Sequence, residues 1–289
     1  EINMKKYIFI FISEHEINHK TYLSKNNMYN SMNRYKLEVD THCHSLASHH
    51  ALSSIGEMLI SAQKVGLSAF ALSDHHPSLH CEQDGMVIHA PDEAYFHVFC
   101  TRYSAPKDCG VGVFKSVELN ILDHSPWVSP FYRDFNNLFD LTIAGVHQFP
   151  HLFSAIDNEE HNTEILLNAI NEGDRPQFNI LTHPISSDLP LNMDTVIREC
   201  TNRGIALEVN NSNLEHKKHL APLIKLMLQK VHACGGRIAV GSDAHMASEV
   251  GNFSAAIDLL EEVNFPPELI VNNTLDSFYL FLDELKINN

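Results

Sequence analysis

The chain has 289 residues, with 44% hydrophobic and 19% charged residues, ordinary values for a globular protein with a substantial core. Its formal net charge of −16 argues against a general binder of nucleic acid or anionic membrane, because a phosphate-rich partner needs a basic face. It leaves room for a small anionic substrate, since bound cations can supply local positive charge.

The first 33 residues stand apart. Tyr7–Ile12 is an apolar run after Lys5-Lys6, too short to span a membrane. Glu14-His15-Glu16 follows at once without a small-residue cleavage site, which speaks against a secretory signal. Residues 24–33 are rich in Asn, Ser and Met. The expectation is a poorly ordered extension over 1–33, with Met32 offering a natural start, and a single catalytic domain over 34–289.

From residue 34 the chain alternates. A strand is expected near Leu37–Asp40, running into Thr41-His42-Cys43-His44. Ser54 with Glu57 three residues on reads as a capping box for a helix over 55–65, which Gly66 ends. Ala69–Leu72 is a strand, followed by Ser73-Asp74-His75-His76-Pro77. Residues 78–110 carry little pattern beyond a helix near 92–102. Val111–Val117 is a strand ending at Glu118, and Leu141–Val146 a strand ending at His147. A helix near 161–172 precedes the strand Phe178–Leu181 and Thr182-His183-Pro184. A helix over 193–203 precedes the strand Ile205–Val209 and Asn210-Asn211-Ser212. A helix from about Leu220 to Gly235 precedes the strand Arg237–Val240 and Gly241-Ser242-Asp243-Ala244-His245. Helices near 255–263 and 274–285 close the chain. Seven strand-like runs alternating with helices predict an α/β fold with a parallel sheet.

The chain holds 20 histidines, as many as Lys and Arg together. Their placement is regular: His42, His44, Asp74-His75, Glu118, His147, His183, Asp243 and His245 all follow the carboxyl ends of strands. In parallel barrels those ends form one face, where active sites are built. In an extended segment residues i and i+2 point the same way, so His42 and His44 can reach one ion while Cys43 turns to the opposite face. One ion needs about four ligands, so this set suits two or three. Imidazole and carboxylate without thiolate suit zinc, manganese or iron, and the six cysteines show no C-x-x-C spacing.

The ordered motifs D-T-H-C-H-S-L-A-S-H-H-A, S-D-H-H-P, V-E-L-N-I, A-G-V-H, T-H-P, E-V-N-N-S and G-S-D-A-H resemble the PHP (polymerase and histidinol phosphatase) family, closest to its small bacterial phosphatases of the YcdX type. The resemblance spans roughly 37–285. It implies a distorted (β/α)7 TIM-like barrel with three divalent ions, most readily Zn2+ with Mn2+ or Fe2+ as alternatives, at the strand carboxyl ends. It implies one ion on His42, His44, Glu118 and Asp243, a second on His50, His75 and His245, and a third on Glu118, His147 and His183, with Glu118 bridging. Spacing in the first motif selects His50 over His49. Glu118, Asp243 and His245 are then expected at the reaction centre, where a metal-bound hydroxide attacks a small phosphate monoester. Histidinol phosphate and small-nucleotide phosphodiesters are alternative substrates, and a storage protein without turnover is the non-enzyme alternative. The scattered cysteines suit reduced thiols in a cytoplasmic protein, and the acidic charge predicts no nucleic-acid or membrane partner; the resemblance adds only a homo-oligomer, trimeric in some relatives.

Substrate contacts are less defined. Lys217 and Lys218 are candidates to grip phosphate, against the alternative of solvated lysines at a helix start. His76 stands where relatives often carry Gly and would face the site mouth. His97 is a further candidate from the 78–110 region, and Asp74 reads equally as an orienting carboxylate or a loop cap. His216 is balanced between support and surface, while His151, His161, His219 and His232 are assigned to surface or core.

Overall fold

The computed structural model describes residues 34–83, 86–131, 135–149, 152–153, 157–186 and 189–287. Leu37–Asn289 forms a compact unit of its own, and the description is confined to it. The expected 1–33 extension and His151 lie outside the described residues.

Seven strands pair in parallel in the order β1 (Val39–Cys43), β2 (Ala69–Leu72), β5 (Gly112–Asn120), β6 (Leu141–Gly145), β7 (Ile180–Leu181), β8 (Ala206–Asn210) and β9 (Ile238–Gly241). A separate antiparallel hairpin, β3 (Cys81–Gln83) and β4 (Met86–Ile88), lies in the stretch whose sequence carried little pattern. The helices are α1 (Ile55–Val65), α2 (Glu93–Arg102), α3 (Glu159–Ile170), α4 (Met193–Arg203), α5 (Asn211–His216), α6 (Ala221–Cys234), α7 (Ser254–Glu262) and α8 (Leu275–Ile287). The sheet curls into a nearly closed (β/α)7 barrel. Its first and last strands meet just beyond β9, where Asp243 N donates to His42 O and His44 N to Ala244 O.

The side chain of Asn272 stitches this seam. Its Oδ1 accepts from Val240 N at 2.9 Å, and its Nδ2 donates to Val39 O at 2.7 Å and Val240 O at 2.8 Å. The amino end of the barrel is filled by hydrocarbon. Val39, Ala69, Leu141, Ile180 and Ala206, each at a strand start, form one cluster with Phe278, Phe281 and Leu282 of α8. Small residues on the strands make room for the aromatic rings of the helix, as close-packed interiors require.

Two strands run further than expected. β1 continues through Cys43 because its polar residues are satisfied in the interior: Thr41 Oγ1 donates to Val240 O and Asp40 accepts from Ser242 N and Gly251 N. β5 continues through Glu118 to Asn120. The helix α5 was not expected at all; Asn210 caps it, its side chain accepting from Asn213 N. Helix α1 has both bonds of the capping box between Ser54 and Glu57, and its Gly66 cap is left-handed. Among the described residues no helix is long and apolar enough to cross a membrane.

Candidate metal centre

The carboxyl ends of the strands converge on Glu118, which is 1% exposed. Its two oxygens face different imidazoles. Oε2 lies 2.9 Å from His75 Nδ1, 3.4 Å from His42 Nε2 and 3.6 Å from His44 Nε2. Oε1 lies 2.9 Å from His183 Nε2 and 3.6 Å from His147 Nε2. Asp243 Oδ1 completes one side, 3.3 Å from His44 Nε2 and 3.6 Å from His42 Nε2. Three tight groups of ligand atoms result: His42, His44 and Glu118; His44, His75 and His245; and His75, Glu118 and His147.

The donor set fits divalent cations on two observations. His75 Nδ1 and Glu118 Oε2 are buried 2.9 Å apart, yet neither makes a hydrogen bond of proper geometry, so both atoms are left without the partner that an ion would supply. Likewise His42 Nε2 and His44 Nε2 stand 2.9 Å apart, and His50 Nε2 and His75 Nε2 3.2 Å apart. Nitrogens so placed share either one proton or one cation, and imidazole beside carboxylate is a donor set that takes divalent ions.

The electrostatics agree. Burial pushes His44 well down, helped by His75. Burial with His75 and His245 lowers His50 to about 4, and burial lowers His147 to about 3. These rings are neutral near pH 7, the form in which a histidine binds metal. Burial opposes charge on His42, but Glu208, Asp243 and Glu118 outweigh it and hold its pKa well above the usual value. Burial also opposes the Glu118 and Asp243 carboxylates, and the surrounding histidines more than compensate, keeping both ionised. Among the described residues neither carboxylate has a Lys or Arg ion-pair partner, so both are set to meet a cation.

A surrounding layer orients the rings. Glu208, 2% exposed, accepts from His42 Nδ1 at 2.8 Å through Oε1. Its Oε2 accepts from His183 N at 2.7 Å and Asn210 Nδ2 at 3.1 Å. With Nδ1 committed to Glu208, Nε2 is the nitrogen that His42 turns toward Glu118 and Asp243. Asn120 Oδ1 does the same for His147 Nδ1 at 2.6 Å. Asp74 accepts from Ser45 N, the Ser45 and Ser48 hydroxyls and Tyr95 OH. Ser48 Oγ in turn lies 3.4 Å from His44 Nδ1 and accepts from His75 N. Asp74 therefore both fixes its loop and orients a ring, through a serine.

Glu208 opens the E-V-N-N-S motif, but sequence reasoning assigned it no role in the centre. A signal existed: in Ala206-Leu207-Glu208-Val209 it is the charge inside an otherwise apolar strand, and such a buried charge must be paired. Backbone geometry also departs from the ordinary here. His183 has φ +30° and Asp243 φ +55°, a region that costs non-glycine residues energy and concentrates at functional sites. Gly145 and Gly241 precede ligand-bearing turns at close approaches. A Cβ on Gly145 would collide with Thr182 and the His183 ring, and one on Gly241 with the Glu208 carboxylate and His42.

His50 and His49 separate clearly. The His50 ring lies 5.0 Å from that of His75 and 4.7 Å from that of His245, whereas the His49 ring lies 4.5 Å from His89. Lys217 lines the cavity that opens from the histidines, and Lys218, the first residue of the short 3-10 turn Lys218–Leu220, is not among its lining residues. His76, expected to face substrate, does not line that cavity. It is 4% exposed, its Nδ1 accepts from Ser78 N and its ring meets Phe131 edge-on. His97 is exposed on α2, its ring 6.1 Å from Phe135, and is not brought to the cavity either. Cys43 is buried on the other side of β1, with Sγ 3.8 Å from Ser242 Oγ.

No protein-family model matches the chain. It is 31% identical over 251 residues to a "probable phosphatase" of Shewanella sediminis, covering 86% of this chain and 95% of that one. It is 32% identical over 253 residues to a "probable phosphatase" of Caldanaerobacter subterraneus subsp. tengcongensis, covering 87% and 93%. Among solved structures it is similar to histidinol phosphate phosphatase from Lactococcus lactis, complexed with zinc, L-histidinol and phosphate. There the TM-score is 0.56 at 16% identity, over 79% of this chain and 94% of that one, a likeness of fold.

Proposed function

The chain belongs to the family of bacterial proteins described as probable phosphatases, and we propose that it is a PHP-type, metal-dependent phosphatase of small phosphate monoesters. The observation that carries the reading is Glu118, whose Oε2 faces His42, His44 and His75 while Oε1 faces His147 and His183. A carboxylate set between two imidazole groups suits a ligand shared by two ions.

In this reading His42, His44, Glu118 and Asp243 hold one ion, His50, His75 and His245 a second, and Glu118, His147 and His183 a third. His44 and His75 stand on the borders between groups, since His44 also approaches His75 and His245 closely. Zinc suits the mixed nitrogen and oxygen donors. It is also the ion in the Lactococcus lactis structure. When bound, such ions polarise a phosphoryl oxygen and acidify a coordinated water.

The chain's own residues do the rest. Glu208 and Asn120 hold His42 and His147 with Nε2 turned inward. Asp74 holds the His44 loop through Ser45 and Ser48. Lys217 brings positive charge to the cavity wall, where an anionic substrate enters. The open cavity reaching the histidines supports turnover over storage.

The test is hydrolysis of p-nitrophenyl phosphate by purified protein before chelation, after it, and after restoring zinc, with metal content measured on each sample. Activity is expected to vanish and return with the metal. Substoichiometric metal and no hydrolysis after reconstitution would overturn the reading. A wider panel including histidinol phosphate and a small-nucleotide phosphodiester decides between substrate classes.

A further inference from the structure

Helix α2 reaches the metal centre through one hydroxyl. Asp92 caps the helix, its side chain accepting from Tyr95 N at 2.9 Å, which sets Tyr95 in the first turn. The Tyr95 ring meets Phe96 edge-on at 5.2 Å and stacks on Phe99 at 6.0 Å. Both phenylalanines are buried, so the ring is fixed against the core. Its hydroxyl donates to Oδ2 of Asp74, the buried carboxylate that precedes His75 in the chain.

The proton count gives this chain of bonds a direction. Ser45 N and Ser48 Oγ donate to Asp74 Oδ1 at 2.8 and 2.7 Å. Ser45 Oγ, at 2.8 Å, and the Tyr95 hydroxyl donate to Oδ2. A carboxylate offers about four acceptor sites, so the set is full. The Ser48 hydroxyl gives its one proton to Asp74, and its oxygen can then only accept. It accepts from His75 N at 3.0 Å and from His44 Nδ1 at 3.4 Å. His44 thus carries its proton on Nδ1 and turns Nε2 to Asp243 Oδ1 at 3.3 Å and Glu118 Oε2 at 3.6 Å. Without the Tyr95 hydroxyl, Oδ2 keeps a single donor, and a partly satisfied buried network loses its unique arrangement.

We propose that Tyr95 is a positioning residue of the metal centre: through Asp74 and Ser48, its hydroxyl holds His44 in the tautomer and orientation that bind an ion. The inference rests on the metal-dependent reading given above. It ties the connection between β2 and β5, which carries α2, to the chemistry, because a shift of the helix start loosens a ligand on β1's far end.

Tyr95→Phe removes the hydroxyl and keeps the ring on Phe96 and Phe99. Zinc affinity of the full-length protein, read by competition with a chromophoric chelator, is expected to fall roughly three- to tenfold. The visible absorption of the Co2+-loaded protein, which reports the ligand field at the ion, is expected to change with it. Ser48→Ala cuts the path one step later and should lower zinc affinity at least as far. In that background Tyr95→Phe should cost no more than about twofold further, whereas two independent effects would multiply. Unchanged affinity and spectrum in folded Tyr95→Phe, or multiplied losses in the double variant, overturn the inference. If Tyr95→Phe does not fold, Ser48→Ala decides: a loss supports the path, and unchanged affinity overturns it. Hydrolysis of p-nitrophenyl phosphate separates the two readings. Zinc losses as expected without hydrolysis by the unmodified chain strike the phosphatase reading and leave Tyr95 in its role. Hydrolysis with zinc affinity unmoved in the variants strikes Tyr95 alone, and an unmodified chain that takes up neither zinc nor cobalt overturns both.

Discussion

Glu208 holds His42 from behind: its Oε1 accepts the Nδ1 proton at 2.8 Å across 166 residues of sequence, and both side chains are buried. A carboxylate in that position fixes the tautomer of a ligand histidine and raises its basicity. Glu208→Gln keeps the shape and removes the charge. The expected outcome is a loss of roughly 10- to 100-fold in zinc affinity, read by competition with a chromophoric chelator. Unchanged affinity in a folded variant would remove Glu208 from the centre.

Glu118 should matter more than any one histidine at the far side. Glu118→Gln weakens the contacts of both carboxylate oxygens, whereas His183→Ala removes one imidazole. Metal content per chain, measured after dialysis at equal free zinc, is expected to fall further in Glu118→Gln. Equal losses in the two variants would count against a shared carboxylate.

Gly241 lets β9 pass close to Glu208 and His42. Gly241→Ala is expected to displace that pair and lower metal content, with helix content by circular dichroism unchanged. Gly56→Ala is the control. Its added methyl group meets only Ser54 Oγ at 4.0 Å inside α1, so it should stabilise the protein by roughly 0.5–1 kcal/mol and leave metal content alone.

Asn272 closes the barrel seam through three buried bonds to Val39 and Val240. Asn272→Leu takes away the partner of Val240 N and of Val39 O, while Val240 O keeps the Thr41 hydroxyl, at about 1–3 kcal/mol for each group left unpaired, offset in part by relaxation. A loss of about 3 kcal/mol and a Tm lower by about 5–10 °C are expected by thermal unfolding of the chelated protein. A shift below about 2 °C would show that water replaces the side chain without cost.

Acid should weaken the metal-free fold in a defined window. Burial holds folded His147 down at about 3, so below pH 6.5 the unfolded chain takes a proton that the folded one refuses. Stability from this group is present above pH 6.5 and is lost as pH falls. His42 and His183, whose pKa values are raised, are protonated in both states below 6.5 and add no slope there. Urea unfolding of chelated protein is expected to show lower stability at pH 5 than at pH 7. His147→Gln should shrink that difference by on the order of 1–2 kcal/mol. The same difference in both proteins would sink the assignment.

Much of the fold was legible in the chain. Helices α1 and α4 fall at their expected bounds because Ser54 with Glu57, Gly66 and Gly204 mark the ends locally. The strands were found as apolar runs, but β1 and β5 were placed short. Their last residues are polar, and only partners such as Val240 O and Gly251 N make Thr41 and Asp40 compatible with a buried strand. The hairpin β3–β4 and helix α5 left no clear pattern, being three to six residues long. His76 was expected at the mouth because it stands where relatives often carry Gly, yet its Nδ1 accepts from Ser78 N and its ring meets Phe131, and it does not line the cavity.

The sequence by itself determined the kind of centre: histidines and carboxylates at successive strand ends, with no thiolate among them. Strand ends and donor types are local properties, so a linear reading reaches them. The tertiary structure decided what depends on meeting across the chain. It set His50 beside His75 and His245 and turned His49 to His89, although the two are adjacent in sequence. It brought Glu208 behind His42 and closed the barrel through Asn272. Each of these joins residues from distant segments, whose distances are fixed only when the barrel closes.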